Sequence, residues 1–181
     1  MIRIGVLSDT HFQDPGTGFA FLHDLLDGCF RGVDAILHAG DIVNPEVLLA
    51  FAGRTVHAVR GNMDPPVRGI PVRKVVEAGG FRIGLIHGWG SPEKLEERIL
   101  REFQGECLDC LVYGHSHQPV CHQRDGILFF NPGSPTDRRR APYHSVGILQ
   151  VSDRIEGRII RVNDGDRMTH SQKAEITSLR R

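Results

Sequence analysis

Apolar runs of strand length recur along the chain, each followed by polar residues. Ile2 to Leu7, Ala35 to Leu37, Val56 to Val59, Ile83 to Ile86, Leu111 to Tyr113 and Ile127 to Phe130 read as strands. Two more runs close the pattern, Val146 to Val151 and Ile155 to Val162. In the last, Ile155 and Ile159 alternate with Arg154, Glu156 and Arg158, although Ile160 breaks the alternation. Ser152 and Asp153 separate the two runs, which predicts a terminal antiparallel hairpin.

Helical spacing appears between the early strands. Phe19 to Phe30 carries Phe21, Leu22, Leu25, Leu26 and Phe30 near a period of 3.6. Pro45 opens a short helix with Asn44 as its N-cap. Ser91-Pro92 predicts a third start, with Ser91 as N-cap and Pro92 at the first helical position. Leu95, Ile99, Leu100 and Phe103 would form the buried stripe of that helix. The order predicts an α/β fold of two packed sheets with helices outside. Residues 1–162 read as a single domain, and residues 163–181 as a polar C-terminal tail, either disordered or a short surface helix. No internal repeat or low-complexity tract is present.

Composition narrows the classes. A length of 181 residues suits one domain, and 40% apolar residues can fill its core. Lys plus Arg and Asp plus Glu both number 22, so no global charge attracts nucleic acid or an anionic membrane. No apolar run of ~18 residues is present, so no membrane helix is expected. The N-terminus reads as a strand rather than a signal peptide. Cys29, Cys107, Cys110 and Cys121 are too few for a disulfide scaffold, and a reducing cytoplasm is expected. Cys107 and Cys110 have C-x-x-C spacing, but Leu111 and Val112 run on into a strand, which favours half-buried strand cysteines over a zinc site.

The chemistry gathers after the strands. Asp9 and His11 follow the first run, Asp41 the second, Asn62 and Asp64 the third; His87 ends the fourth, and His115 and His117 the fifth. Each alone is also a turn former, a helix cap or an interior histidine. Together, at the same end of successive strands, they predict one pocket. Asp9 and His11 stand two apart, as do His115 and His117, so in extended backbone each pair would face one side. Carboxylate with imidazole suits divalent zinc, manganese, iron, cobalt or nickel. Seven candidates exceed the ligands of one structural zinc, so two ions sharing a carboxylate use them better. Two such ions carry four positive charges; Asp9, Asp41 and a bridging hydroxide leave about one, which favours an anionic ligand such as a phosphate ester.

These motifs resemble those of the calcineurin-like metallophosphoesterases: D-x-H (Asp9, His11), G-D (Gly40, Asp41), G-N-x-D (Gly61 to Asp64), H-G (His87, Gly88) and G-H-S-H (Gly114 to His117), in that order. N-P-G-S at Asn131 to Ser134 is similar to the small bacterial and archaeal phosphodiesterase branch. The resemblance implies a two-sheet β-sandwich flanked by helices and a dinuclear metal centre. It implies that Asp9, His11 and His117 hold one ion, that Asn62, His87 and His115 hold the other, and that Asp41 bridges. It implies a hydrolase in which a hydroxide between two divalent transition metals, manganese favoured, attacks a small phosphate diester. Asp9, Asp41, Asn62, His87 and His115 would serve catalysis.

Larger relatives carry G-N-H-E, whose histidine is proposed to protonate the leaving oxygen. Met63 stands at that place and transfers no proton, which should favour good leaving groups. A retromer scaffold of this fold has lost several of the histidines, whereas all four stand here. A phosphomonoesterase and a non-catalytic interaction module remain the alternatives, and a homo-oligomer is compatible with the sequence. Arg138, Arg139 and Arg140 form either a phosphate contact, with Arg138 the candidate, or a solvated loop. His38 either orients a ligand carboxylate or sits in the core. Trp89 either walls the pocket or packs. A nuclease is disfavoured, because no aromatic-basic interleaving accompanies the arginines.

Overall fold

The computed structural model describes residues 1–162 and the two-residue strand Ile176–Thr177. The expectation for the tail falls on residues 163–175 and 178–181, outside the described residues.

Two mixed sheets pack face to face. The first contains β1 (Ile2–Leu7), β2 (Ala35–His38), β3 (Thr55–Ala58), β9 (His144–Val151) and β10 (Ile155–Val162), in the order β10-β9-β1-β2-β3. The short β11 (Ile176–Thr177) adds to β10. The second contains β4 (Arg73–Ala78), β5 (Phe81–Ile86), β6 (Cys110–Val112), β7 (Val120–Arg124) and β8 (Ile127–Asn131), in the order β4-β5-β6-β8-β7. Helix α1 (Pro15–Asp27) and a 3-10 helix (Pro45–Phe51) pack with the apolar residues of the first sheet's outer face, and α2 (Leu95–Arg101) with those of the second's.

Side-chain alternation builds these layers. Ile4 and Val6 of β1 meet Ile83, Leu85, Cys110 and Val112 between the sheets. Leu7 and Ile36 turn outward onto Leu22, Leu25 and Phe30. Leu111, Tyr113 and Phe129 turn the other way, onto Leu95 and Ile99. Cys110 is therefore a core residue, while Cys107 is exposed.

The predicted terminal hairpin is β9 paired antiparallel with β10. Asn44 caps the 3-10 helix, its side chain accepting from the Glu46 amide at 3.0 Å. Helix α1 starts four residues before the apolar stripe, where Asp14 caps it through the Thr17 amide at 2.7 Å. The third helix differs from expectation. Ser91-Pro92 forms a turn, Lys94 takes a left-handed φ of 53°, and α2 begins at Leu95. Arg98 donates to the carbonyls of Ser91 and Glu93, holding residues 91–93 off the helix axis. Strands β4 and β7 carry no long apolar run. Both are edge strands rich in charged or polar residues, the usual guard against edge pairing, and this hides them from an apolar search.

Candidate metal centre

Strands β1, β2 and β3 run parallel in one sheet, and β5 and β6 run parallel in the other. The loops after their carboxyl ends meet at one edge of the sandwich. Asp9, Asp41, His87 and His117 are each no more than 1% exposed there, while His11 and His115 are half-buried and Asn62 is exposed.

The backbone is bent hard to achieve this. Asp9 (φ 54°), His11 (46°), Asp41 (53°), His115 (68°) and His117 (58°) all lie in the left-handed region. The paired side chains therefore do not share a side through extended backbone, as expected above. Tight left-handed turns aim them instead, a conformation that costs energy and that surrounding structure must hold.

That structure is visible. The Asp9 carbonyl accepts from Ser134 Oγ at 2.7 Å, and the Thr10 carbonyl from Thr136 Oγ1 at 2.7 Å. Asn131 Nδ2 donates to the Gly114 carbonyl at 2.9 Å. The N-P-G-S segment thus braces two metal-site loops from behind. Asp64 accepts from the Val43 amide at 2.6 Å and the Gly61 amide at 2.7 Å, joining the loops that carry Asp41 and Asn62. Gly61 and Gly114 are required by close approach. A Cβ at Gly61 would stand 2.4 Å from the Asp41 backbone nitrogen, and one at Gly114 2.7 Å from Asp9 Oδ2. Sequence reasoning left Ser134, Thr136, Asn131 and Asp64 without definite roles, because their partners lie in other loops.

The donor atoms converge. Asp9, His11 and His117 can bring one ligand atom each within 4.8 Å of one another, and so can Asp9, Asp41 and His87. His117 Nε2 lies 3.1 Å from Asp9 Oδ1, and His87 Nε2 lies 3.3 Å from Asp41 Oδ2. Asp41 Oδ2 is also 3.7 Å from His11 Nε2, so both carboxylates face both groups. His115 Nδ1 sits 3.1 Å from Asn62 Oδ1, and the rings of His115 and His87 meet edge to face.

Two imidazoles are oriented alike. His87 Nδ1 donates to the Ala39 carbonyl at 2.7 Å, and His117 Nδ1 donates to the Asp137 carbonyl. Their Nε2 atoms, turned toward the carboxylates, are left with lone pairs. His115 faces oxygens with both nitrogens, Asn62 Oδ1 and the Gly90 carbonyl at 2.7 Å. Asp9 Oδ1 and His87 Nε2 are buried with no hydrogen-bond partner. Such orphaned atoms are costly unless a cation binds them. The residues present therefore fit divalent metal.

Electrostatics agree. Burial opposes charge on Asp9, yet the imidazoles of His117 and His87 beside it bring its carboxyl below the usual range. Burial likewise opposes charge on Asp41, but His87 and the Met63 amide pull its carboxyl down to about 2. His87 and His117 rise against burial because these carboxylates attract positive charge. A divalent cation would meet the same demand.

Other candidates fall outside the cluster. Arg138 is exposed, next to Asp137, and its guanidinium donates to the Ala141 carbonyl at 3.0 Å. Among the described residues His38 bonds no carboxylate; it accepts from the Gly40 amide and bonds Thr10 Oγ1 at 3.0 Å, tying two loops together. Met63 is exposed, and its amide donates to Asp41 Oδ1 at 2.8 Å. No helix of the described residues is long and apolar enough to cross a membrane.

A sandwich that collects such donors at its joint edge defines the metallophosphoesterase class. The chain belongs to the calcineurin-like phosphoesterase superfamily, whose domain matches residues 2–154. A probable metallophosphoesterase of Methanocaldococcus jannaschii is 36% identical over 165 residues, 89% of this chain and 82% of that protein. A Streptococcus pneumoniae protein described as a predicted phosphoesterase superposes with a TM-score of 0.70 at 26% identity, covering 91% of this chain and 94% of its own. Vps29 of Entamoeba histolytica, solved with zinc, gives 0.69 at 27% identity, covering 97% and 98%. Membership supports a metal-dependent hydrolase of phosphate esters.

Proposed function

We propose that the chain is a dinuclear phosphodiesterase. The observation that carries this reading is the pair of orphaned buried atoms, Asp9 Oδ1 and His87 Nε2, within two overlapping donor groups, Asp9 with His11 and His117 and Asp9 with Asp41 and His87. Asp9, His11 and His117 would hold one ion and Asn62, His87 and His115 the other, with Asp41 facing both. Two divalent ions held there, manganese favoured, would supply a hydroxide nucleophile at neutral pH and charge stabilisation for the phosphate. Asn62, exposed at the rim, would contact the phosphate oxygens.

Diesters suit the site better than monoesters. With two ions, Asp9, Asp41 and hydroxide leave about one net positive charge, which matches the single negative charge of a diester. Met63 supplies no proton to a leaving oxygen, so diesters with good leaving groups are favoured. Four free cysteines agree with a reducing cytoplasm.

The test is turnover of bis-p-nitrophenyl phosphate against p-nitrophenyl phosphate by metal-loaded protein. Asp41→Asn and His117→Ala should each lower diester turnover by ~100-fold or more with unchanged circular dichroism. Full activity in either variant would overturn the site assignment, and faster monoester cleavage would make the protein a phosphatase. The likeness to Vps29 gives an interaction module as the second reading. Inactivity of metal-loaded protein on both ester classes would favour it.

A further inference from the structure

The geometry points to an aromatic subsite beside the metal centre: Trp89, backed by Arg98 and accompanied by Met63, stacks a planar aromatic group of the substrate, of which a nucleobase is the natural example. This deepens the phosphodiesterase reading and rests on it for the identity of the scissile bond.

Few large apolar side chains are exposed among the described residues, and two of them flank the same imidazole. Met63 is 57% exposed and Trp89 39%. Met63 follows Asn62, whose Oδ1 lies 3.1 Å from His115 Nδ1. Trp89 precedes Gly90, whose carbonyl lies 2.7 Å from His115 Nε2. The His115 ring therefore spans the two segments that carry the exposed side chains. An indole left open next to a polar cluster loses burial energy that packing would have given it.

The indole also has a prepared support. The Arg98 guanidinium lies over it, 6.0 Å from the ring centroid. Among the described residues Arg98 has no carboxylate partner; it donates to the Ser91 and Glu93 carbonyls, and its Nε is buried without a bond. It thus holds the turn that presents Trp89 and places a cation against the ring. No other aromatic ring packs on Trp89 among the described residues. A supported, solvent-open indole is a stacking platform for any planar base, and the methionine on the segment across His115 is soft enough to adapt to different rings. Neither residue carries charge, so the second half of the ester would be selected by its flat apolar face, while the ions and Asn62 take the phosphate.

Trp89 is the single tryptophan of the chain, so its fluorescence reports this site directly. Metal-loaded protein, excited at the red edge of indole absorption, is titrated with adenosine 5′-monophosphate, ribose 5-phosphate and inorganic phosphate. The first should quench saturably and the other two should not. By calorimetry, Trp89→Ala should weaken binding of the nucleotide by about 5- to 50-fold while leaving ribose 5-phosphate unchanged, and Trp89→Phe should recover most of the loss. Equal responses to the nucleotide and ribose 5-phosphate would overturn the subsite. So would a Trp89→Ala variant that binds nucleotide like wild type but changes oligomeric state, which would assign the indole to contact between copies. Nucleotide-specific quenching in a protein inactive on every diester would uphold the platform and remove the phosphodiesterase reading; diester turnover without base preference would do the reverse.

Discussion

Oδ1 of Asp9 and Nε2 of His117 meet at 3.1 Å, both side chains wholly withdrawn from solvent. His117 spends its Nδ1 proton on the Asp137 carbonyl, and Asp9 Oδ2 accepts from Ser8 Oγ at 2.7 Å and the His115 amide at 3.1 Å. Asp9 Oδ1 is left without a hydrogen-bond partner, and His117 Nε2 faces it and, at 3.4 Å, the His11 Nε2 nitrogen. Metal should compensate them.

Chelation should therefore destabilise the protein. Metal that binds only the folded state adds RT ln(1 + [L]/Kd), about 2.7 kcal/mol at a hundredfold excess over Kd. Calorimetry with and without a chelator should show Tm falling by several degrees, and manganese or zinc should restore it.

Asp64 should matter through position rather than contact. Its two oxygens hold the Val43 and Gly61 amides, and Val43 sits at a left-handed φ of 70°, strained for a β-branched residue. Asp64→Ala should release both loops and weaken metal binding by ~10- to 100-fold. Titration calorimetry measures this, and an unchanged affinity would show that the loops hold without the clamp.

Gly61→Ala should be severe although the change is one methyl. Its Cβ would lie 2.1 Å from Asp41 Oδ1 and 2.4 Å from the Asp41 backbone nitrogen. Backbone cannot step aside as a flexible side chain can. We expect a loss of about 3 kcal/mol or more, or displacement of Asp41 with loss of metal. Denaturant unfolding and metal content distinguish the two.

His38 should impose an acid limit on stability. Burial lowers its pKa from 6.5 to about 4. The unfolded chain takes up a proton below 6.5 that the folded protein refuses until about 4. Stability from this residue is thus present above pH 6.5 and is lost as pH falls to 4, up to about 3 kcal/mol in all. The stability difference between wild type and His38→Gln should shrink or reverse over that interval, as read from urea unfolding at successive pH values. A constant difference would show that His38 does not carry the dependence.

Much of this was legible in the chain. Buried central strands such as β1 announce themselves by apolar runs, and five runs ending in Asp, Asn or His marked one edge of the sheets. Edge strands β4 and β7 were hidden because exposure demands the charge that erases the pattern. The start of α2 was misread because Ser91-Pro92 satisfies local helix rules while Arg98 pulls the turn away. Ser134, Thr136 and Asp64 looked like turn residues, since their work is done on loops from distant strands.

Sequence alone determined the chemistry available: two carboxylates, a carboxamide and four imidazoles, each placed just beyond a strand by local residue order. Local order is enough there, because a strand's carboxyl end fixes which edge its loop occupies. Tertiary structure decided what those groups could do. Only two sheets packed face to face bring the β1 and β6 loops together, bend Asp9 and His117 into left-handed turns, and bury Asp9 Oδ1 and His87 Nε2 without partners. Burial, orientation and the resulting demand for a cation are properties of non-local contacts, and no spacing along the chain encodes them.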